Sequence, residues 1–222
     1  MKRAVKMTGT TGLWICSLFF AAGRWNWARG WIFVALYIAG MGAMGALVKR
    51  AQPDLLGARE KWRRKDTKGF DKIFLAIFLP LCMVQPVVGA LDVERFHWSE
   101  MPDWALWAGI ALLVPAFVLM GWSMAVNRHA ETTVRIQTDR EHTVVETGPY
   151  QFVRHPMYVG AMLLYAGSAL VLGSFWALAT AGLIAAALVV RTALEDRVLR
   201  RELPGYEDFT SRTRYRLVPG IW

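Results

Sequence analysis

The chain has 222 residues, the length of one or two soluble domains, but 55% of them are hydrophobic and 11 are Trp. The apolar residues collect into long uncharged runs and the charges fall between them, which excludes an ordinary water-soluble fold. The net charge of +9 comes with no nucleic-acid motif and no aromatic–basic ribbon, so we expect basic loops facing anionic lipid headgroups and no nucleic-acid partner.

In chain order, the first uncharged run covers 7–23 and is marginal for a crossing. Its MKRAVK prelude has the look of a secretory signal, but the topology balances with the segment retained, so it is read as the first span. Runs 30–48, 73–91 and 104–127 each match the ~20 residues that cross a ~30 Å hydrocarbon core as helix. The run 156–190 has 35 residues. A single helix of that length would reach about 52 Å, so Gly173-Ser174 is expected to divide it into a hairpin of two short spans. The expected fold is therefore an all-α integral membrane bundle of about six transmembrane helices.

Basic residues orient the bundle. The N-terminal tail, the loop 49–72, the 127–155 connection and the tail from Arg191 together hold 23 of the 26 Lys and Arg, and six spans put all four on one side. Arg24, Arg29 and Arg95 fall opposite. By the positive-inside rule both termini are cytoplasmic, in a multi-pass protein of the inner or plasma membrane. The loop 49–72, with Trp62 and Phe70, reads as a solvated cytoplasmic or headgroup-facing segment. Cys16 and Cys82 lie inside predicted spans without metal-ligand spacing and read as small apolar residues, so no metal is expected.

Residues 1–126 thus form a four-span N-terminal part, and the chemistry-bearing residues gather in 127–222. The connection 127–158 is long for a helix–helix loop. It holds Gln137, the His142-Thr143-Val144-Val145 stretch, a Thr147-Gly148-Pro149-Tyr150 turn and Arg154-His155-Pro156-Met157-Tyr158. Pro156 suits the first turn of a helix, whose N–H groups lack partners. That places His155 at the helix N-terminus, either as a cap with Arg154 snorkelling to headgroups, or with Tyr158 lining a ligand site. Arg191 and Glu195 are spaced i,i+4. They form either a weak surface pair, or two groups facing the bundle mouth, Arg191 towards an anion and Glu195 towards a cation.

In order, Gln137, His142 to Val145, Gly148-Pro149-Tyr150 and Arg154 to Tyr158, then a helical hairpin, then Arg191, Glu195-Asp196 and Leu199, resemble the isoprenylcysteine carboxyl methyltransferase family. The wider group includes phospholipid N-methyltransferases. The likeness covers 127–222; the earlier spans match only as membrane helices. It implies a methyltransferase that uses S-adenosylmethionine without a Rossmann domain, and no strand–G-x-G-x-x-G–helix unit is present. By that likeness Gln137, His142, Thr143, Val144, Val145, Tyr150, His155, Pro156, Met157 and Tyr158 enclose the cofactor, with Glu195 at its charged methionine portion. Arg191 would hold the carboxylate of a lipophilic acceptor. The chain departs from the family in carrying Glu195-Asp196 where two Glu are usual, and in the spacing of its Tyr/Arg/Pro-rich end. A carboxylate acceptor is ionised at neutral pH and needs no base, whereas an amine would need one, with His142 or His155 nearest. A nicotinamide-dependent membrane reductase and a lipid-binding scaffold are the readings from other classes.

Overall fold

In the computed structural model, residues 2–61 and 64–222 are described, with side chains from residue 11 onward; Trp62 and Arg63 of the basic loop lie outside the described residues. The order is α1 (Lys2–Ala22), α2 (Ala28–Ala51), α3 (Leu55–Glu60), α4 (Gly69–Ala90) with a π-helical turn at Leu91–Phe96, α5 (Trp104–Val126), α6 (Pro156–Leu172), α7 (Phe175–Glu202) and α8 (Tyr206–Arg212). No strand occurs among the described residues. Helices α2, α4 with its π turn, α5 and α7 are long and apolar enough to cross a membrane. The apolar part of α1, Thr11–Ala22, and α6 are shorter apolar helices packed into the same bundle. The molecule is an all-α, multi-pass membrane protein.

Lipid tails are as apolar as leucine, so close helix packing must come from shape. The most extensive helix pair, α5 on α6, shows how. A Cβ on Gly109 would lie 2.6 Å from the Val171 nitrogen and 2.7 Å from the Gly167 oxygen, so the two backbones touch where glycine permits it. Around this seam Phe19, Phe33, Leu113, Leu164 and Leu172 form the main core.

The hairpin turns at Gly173, in the left-handed region at φ 81°, and Ser174, whose hydroxyl accepts from the Ala177 N–H and caps α7. The expectation of two short arms within 156–190 is corrected. The second arm runs 28 residues to Glu202, because the strong helix formers beyond Arg191 extend it until Pro204 forbids further helix. Its far end is held by the buried Asp92. The Oδ2 of Asp92 accepts from Ser99 Oγ at 2.6 Å, Ser174 Oγ at 2.5 Å and the Trp176 N–H at 3.4 Å, which puts a carboxylate at the positive end of the helix. The other end carries the polar C-terminal turns of α7 out of the apolar bundle.

Candidate active site

The connection after α5 folds across the end of the bundle through its own polar side chains. Asn127 caps the next turn, with Oδ1 accepting from the His129 N–H at 2.8 Å and Nδ2 donating to the Tyr150 hydroxyl at 2.9 Å. Gln137 returns to donate to the His129 carbonyl at 2.7 Å. His129 Nε2 accepts from the Thr143 N–H, and His142 Nδ1 accepts from the Gln137 N–H. These bonds require lone pairs on both rings and so select the neutral tautomers. The rings lie 4.5 Å apart. Burial pushes both histidines below their usual range, His142 to about 4, with neighbouring His129 and Arg135 acting in the same direction. Burial also raises the Tyr150 phenol to about 12.

A second layer is ionic. Glu131 is buried and accepts from Arg135 at 2.9 and 3.1 Å and from Arg64 at 3.1 Å, while Arg135 also reaches Asp139 and Asp66. Hydrogen bonding to Glu131 holds the Arg135 guanidinium firmly charged. This network fastens the 64–72 segment to the 131–139 strip.

The tail returns to the same place. Arg154 grips Asp196 with two nitrogens, at 2.8 and 3.2 Å, and donates to the Thr213 and Arg214 carbonyls at 2.8 and 2.7 Å. Asp196 also accepts from Arg216 at 2.9 Å and from the Tyr206 hydroxyl at 3.0 Å. The Arg154 and His155 N–H groups donate to the Tyr215 and Arg216 carbonyls. Arg154 is thus a buried clamp and does not reach for headgroups. His155 makes no side-chain cap bond to α6. Its ring stacks parallel on Tyr158, with centroids 5.7 Å apart, and its Nε2 faces Asp196 Oδ1 at 3.6 Å.

Arg191 and Glu195 form no ion pair with each other. The Tyr158 hydroxyl donates to Glu195 Oε2 at 2.5 Å. Arg191 stands 3.0 Å from Asp71, the lone acid in the first turn of α4, and donates to the Thr132 carbonyl at 2.7 Å. Its guanidinium lies 4.6 Å from the centre of the Phe74 ring and 5.3 Å from that of Tyr158. Asp71 is fully buried and also accepts from the Val134 N–H at 2.7 Å.

These elements enclose one half-open cleft with a cavity volume of about 90 Å³. Gln137, His142, Thr143, Val144 and Val145 line one side of it. Tyr150, His155, Met157 and Tyr158 line the base, and Arg191 and Glu195 project from α7. Pro156 is buried at the start of α6 and does not reach the cleft. Sequence reasoning missed His129, Glu131, Thr133 and Arg135, and the apolar wall of Leu199, Leu203 and Phe209. It also missed Asp71, although an acid opening a long apolar run is the signal that marks such a residue. The Thr133 Oγ1 atom is buried without a hydrogen-bond partner, as expected of a group that meets a ligand. Among the described residues no group of His, Cys, Asp and Glu is arranged to hold a metal ion.

Two comparisons with known proteins bear on the chain. Over 136 residues the chain is 29% identical to the nickel-cobalt-cadmium resistance protein NccN of Alcaligenes xylosoxydans xylosoxydans. The aligned part is 59% of each chain, so this chain spans about three-fifths of that curated relative. The phospholipid methyltransferase family model matches residues 104–204, from the start of α5 to just past the end of α7. That segment, which supplies most of the cleft, is similar to the phospholipid methyltransferase family, within the group that also contains the isoprenylcysteine methyltransferases.

Proposed function

We propose that the protein uses S-adenosylmethionine to methylate a lipophilic acceptor at the membrane surface, with the cleft and both termini on the cytoplasmic side. The observation that carries this reading is the convergence of the polar connection and the polar end of α7 on one cleft. When bound, the cofactor supplies an activated methyl group on a cationic sulfur. The cleft's donor set fits such a molecule. Glu195 offers a carboxylate to a cationic group, and Val144, Val145, Leu199 and Phe209 offer an apolar wall for a flat base. The unpartnered hydroxyl of Thr133 offers a hydrogen bond. Methyl transfer is an in-line displacement, so the residues act chiefly by holding two reactants in line and excluding water.

The acceptor turns on Arg191. A carboxylate acceptor would have to share that guanidinium with Asp71, whose charge already balances it at 3.0 Å. This balance favours the second reading, a lipid amine, which agrees with the description of the matching family model. An amine must lose a proton. The His142 Nδ1 lone pair is engaged by the Gln137 N–H, whereas His155 presents Nε2 to Asp196 and has no hydrogen bond at Nδ1 among the described residues. His155, oriented by Asp196, is therefore the base in that reading.

The test is incubation of the purified protein with methyl-labelled S-adenosylmethionine and a total lipid extract. Base-labile label identifies a carboxyl ester and base-stable label an amine. Binding of NADPH with no binding of S-adenosylhomocysteine would replace the methyltransferase reading by the reductase one.

A further inference from the structure

Around the cleft, Arg64, Arg135, Arg154 and Arg191 each meet a carboxylate at 2.8 to 3.1 Å. Arg59, on α3, meets none among the described residues. Its Nη1 donates to the Ala130 carbonyl at 2.5 Å and lies 3.8 Å from Met157 Sδ, and its own carbonyl accepts from Thr132 Oγ1 at 2.9 Å. Neither Nε nor Nη2 makes a hydrogen bond among the described residues. The side chain is half-buried, and burial acts to lower its pKa. A half-buried guanidinium with two nitrogens free of hydrogen bonds and no carboxylate in contact among the described residues is free to take an anion brought by a ligand.

The position says which ligand. Ala130 and Met157, the two residues that the Arg59 guanidinium touches, both line the cleft. Helix α3 comes directly after α2, whose last turn carries Lys49 and Arg50, and its Leu55 is buried against Val48, Met124 and Ala130. Helix α3 therefore crosses the end of the bundle where the spans emerge, which is the depth of lipid headgroups. Arg191 does not compete for an anion, because Asp71 already faces it.

We propose that Arg59 binds the anionic group of the acceptor, taking a phosphate or carboxylate oxyanion from a lipid whose tails remain in the bilayer. The proposal rests on the methyltransferase reading only in calling that lipid the acceptor. Bidentate capture of such oxyanions is the chemistry in which Arg surpasses Lys.

The experiment uses the full chain in neutral detergent. Bound lipid is measured by native mass spectrometry during titration with dioleoyl phosphatidic acid (a phosphate), oleic acid (a carboxylate) or dioleoylglycerol (similar tails without either). S-adenosylhomocysteine binding is measured in parallel by calorimetry. The wild type is expected to prefer one of the oxyanion lipids over the diglyceride at least ten-fold, and the arm that wins identifies the oxyanion. Arg59→Gln is expected to abolish the preference and Arg59→Lys to keep part of it, with cofactor-analogue affinity unchanged within about two-fold. Should Arg59→Gln fail to fold, Arg59→Met, which keeps the apolar stem, is expected to show the same loss. No preference in the wild type, or an undiminished preference in Arg59→Gln, overturns the proposal. So does a parallel fall in analogue affinity, which would give the cation to the cofactor's carboxylate or to the packing of α3. If the wild type binds no analogue yet keeps the lipid preference, the methyltransferase reading fails and the Arg59 site stands.

Discussion

Replacing Arg154 by Met tests the buried clamp on which the cleft is built. Asp196 has 1% side-chain exposure and Arg154 2%, and two nitrogens of Arg154 contact it at 2.8 and 3.2 Å. Removing one partner of a buried pair costs about 3–5 kcal/mol, because the remaining charge is left in a low-dielectric site. Here Arg216 at 2.9 Å and Arg200 at 3.3 Å still reach Asp196, so the lower figure, ~3 kcal/mol, applies to the charge. The carbonyls of Thr213 and Arg214 lose their donors as well, adding ~1 kcal/mol or more. At ~2–4 °C per kcal/mol for a chain of this size, the melting temperature in detergent should fall by roughly 8–16 °C. Arg200→Met is the control: its side chain is 37% exposed, and a pair of that kind contributes at most ~1 kcal/mol. Differential scanning fluorimetry of the two variants decides the matter. Equal, small shifts would refute the view that Asp196 is a buried hub.

The same geometry makes three other outcomes measurable. His129 and His142 are held neutral, so the unfolded segment takes up protons below about pH 6.5 that the folded one refuses; the stability of 127–145 should be constant above that pH and fall as pH drops towards 4, as read by hydrogen exchange. Arg191→Ala should destabilise by about 3 kcal/mol or more through the stranded Asp71, and adding Asp71→Ala should restore much of this. Labelled-methyl turnover that recovers with stability in the double variant would make Arg191 a structural residue and not an acceptor-binding one. Gly109→Val should prevent correct assembly of α5 on α6, read as loss of the monodisperse peak in size-exclusion chromatography, because its Cβ falls 2.6 Å from the Val171 backbone.

The bundle is legible because the length of an apolar run and the placement of charge are properties of the chain itself. The cleft residues on 137–158 are legible as an ordered string, and most of them do line one cavity. Partnerships across long separations are not. Nothing in the spacing of Arg191 and Glu195 announces that one turns to Asp71 and the other to Tyr158, since helical periodicity fixes a direction and not a neighbour. Arg154 shows the same gap. An arginine beside a span reads as a headgroup ligand until the tail is seen to fold back and surround it. The length of α7 escapes the sequence for a related reason: the run of uncharged residues ends at Val190, but helix formation depends on the backbone preferences of the residues beyond it.

Helix α7 is fastened at both extremities, by Asp92 near Trp176 and by the guanidinium groups around Asp196. Between Trp176 and Glu195 the axis climbs about 29 Å without a break. A rod pinned in this way has no slack. A change of tilt imposed by a thicker or thinner bilayer must either loosen one fastening or carry Arg191 and Glu195 with it, so hydrocarbon thickness acts directly on the geometry of the cavity mouth.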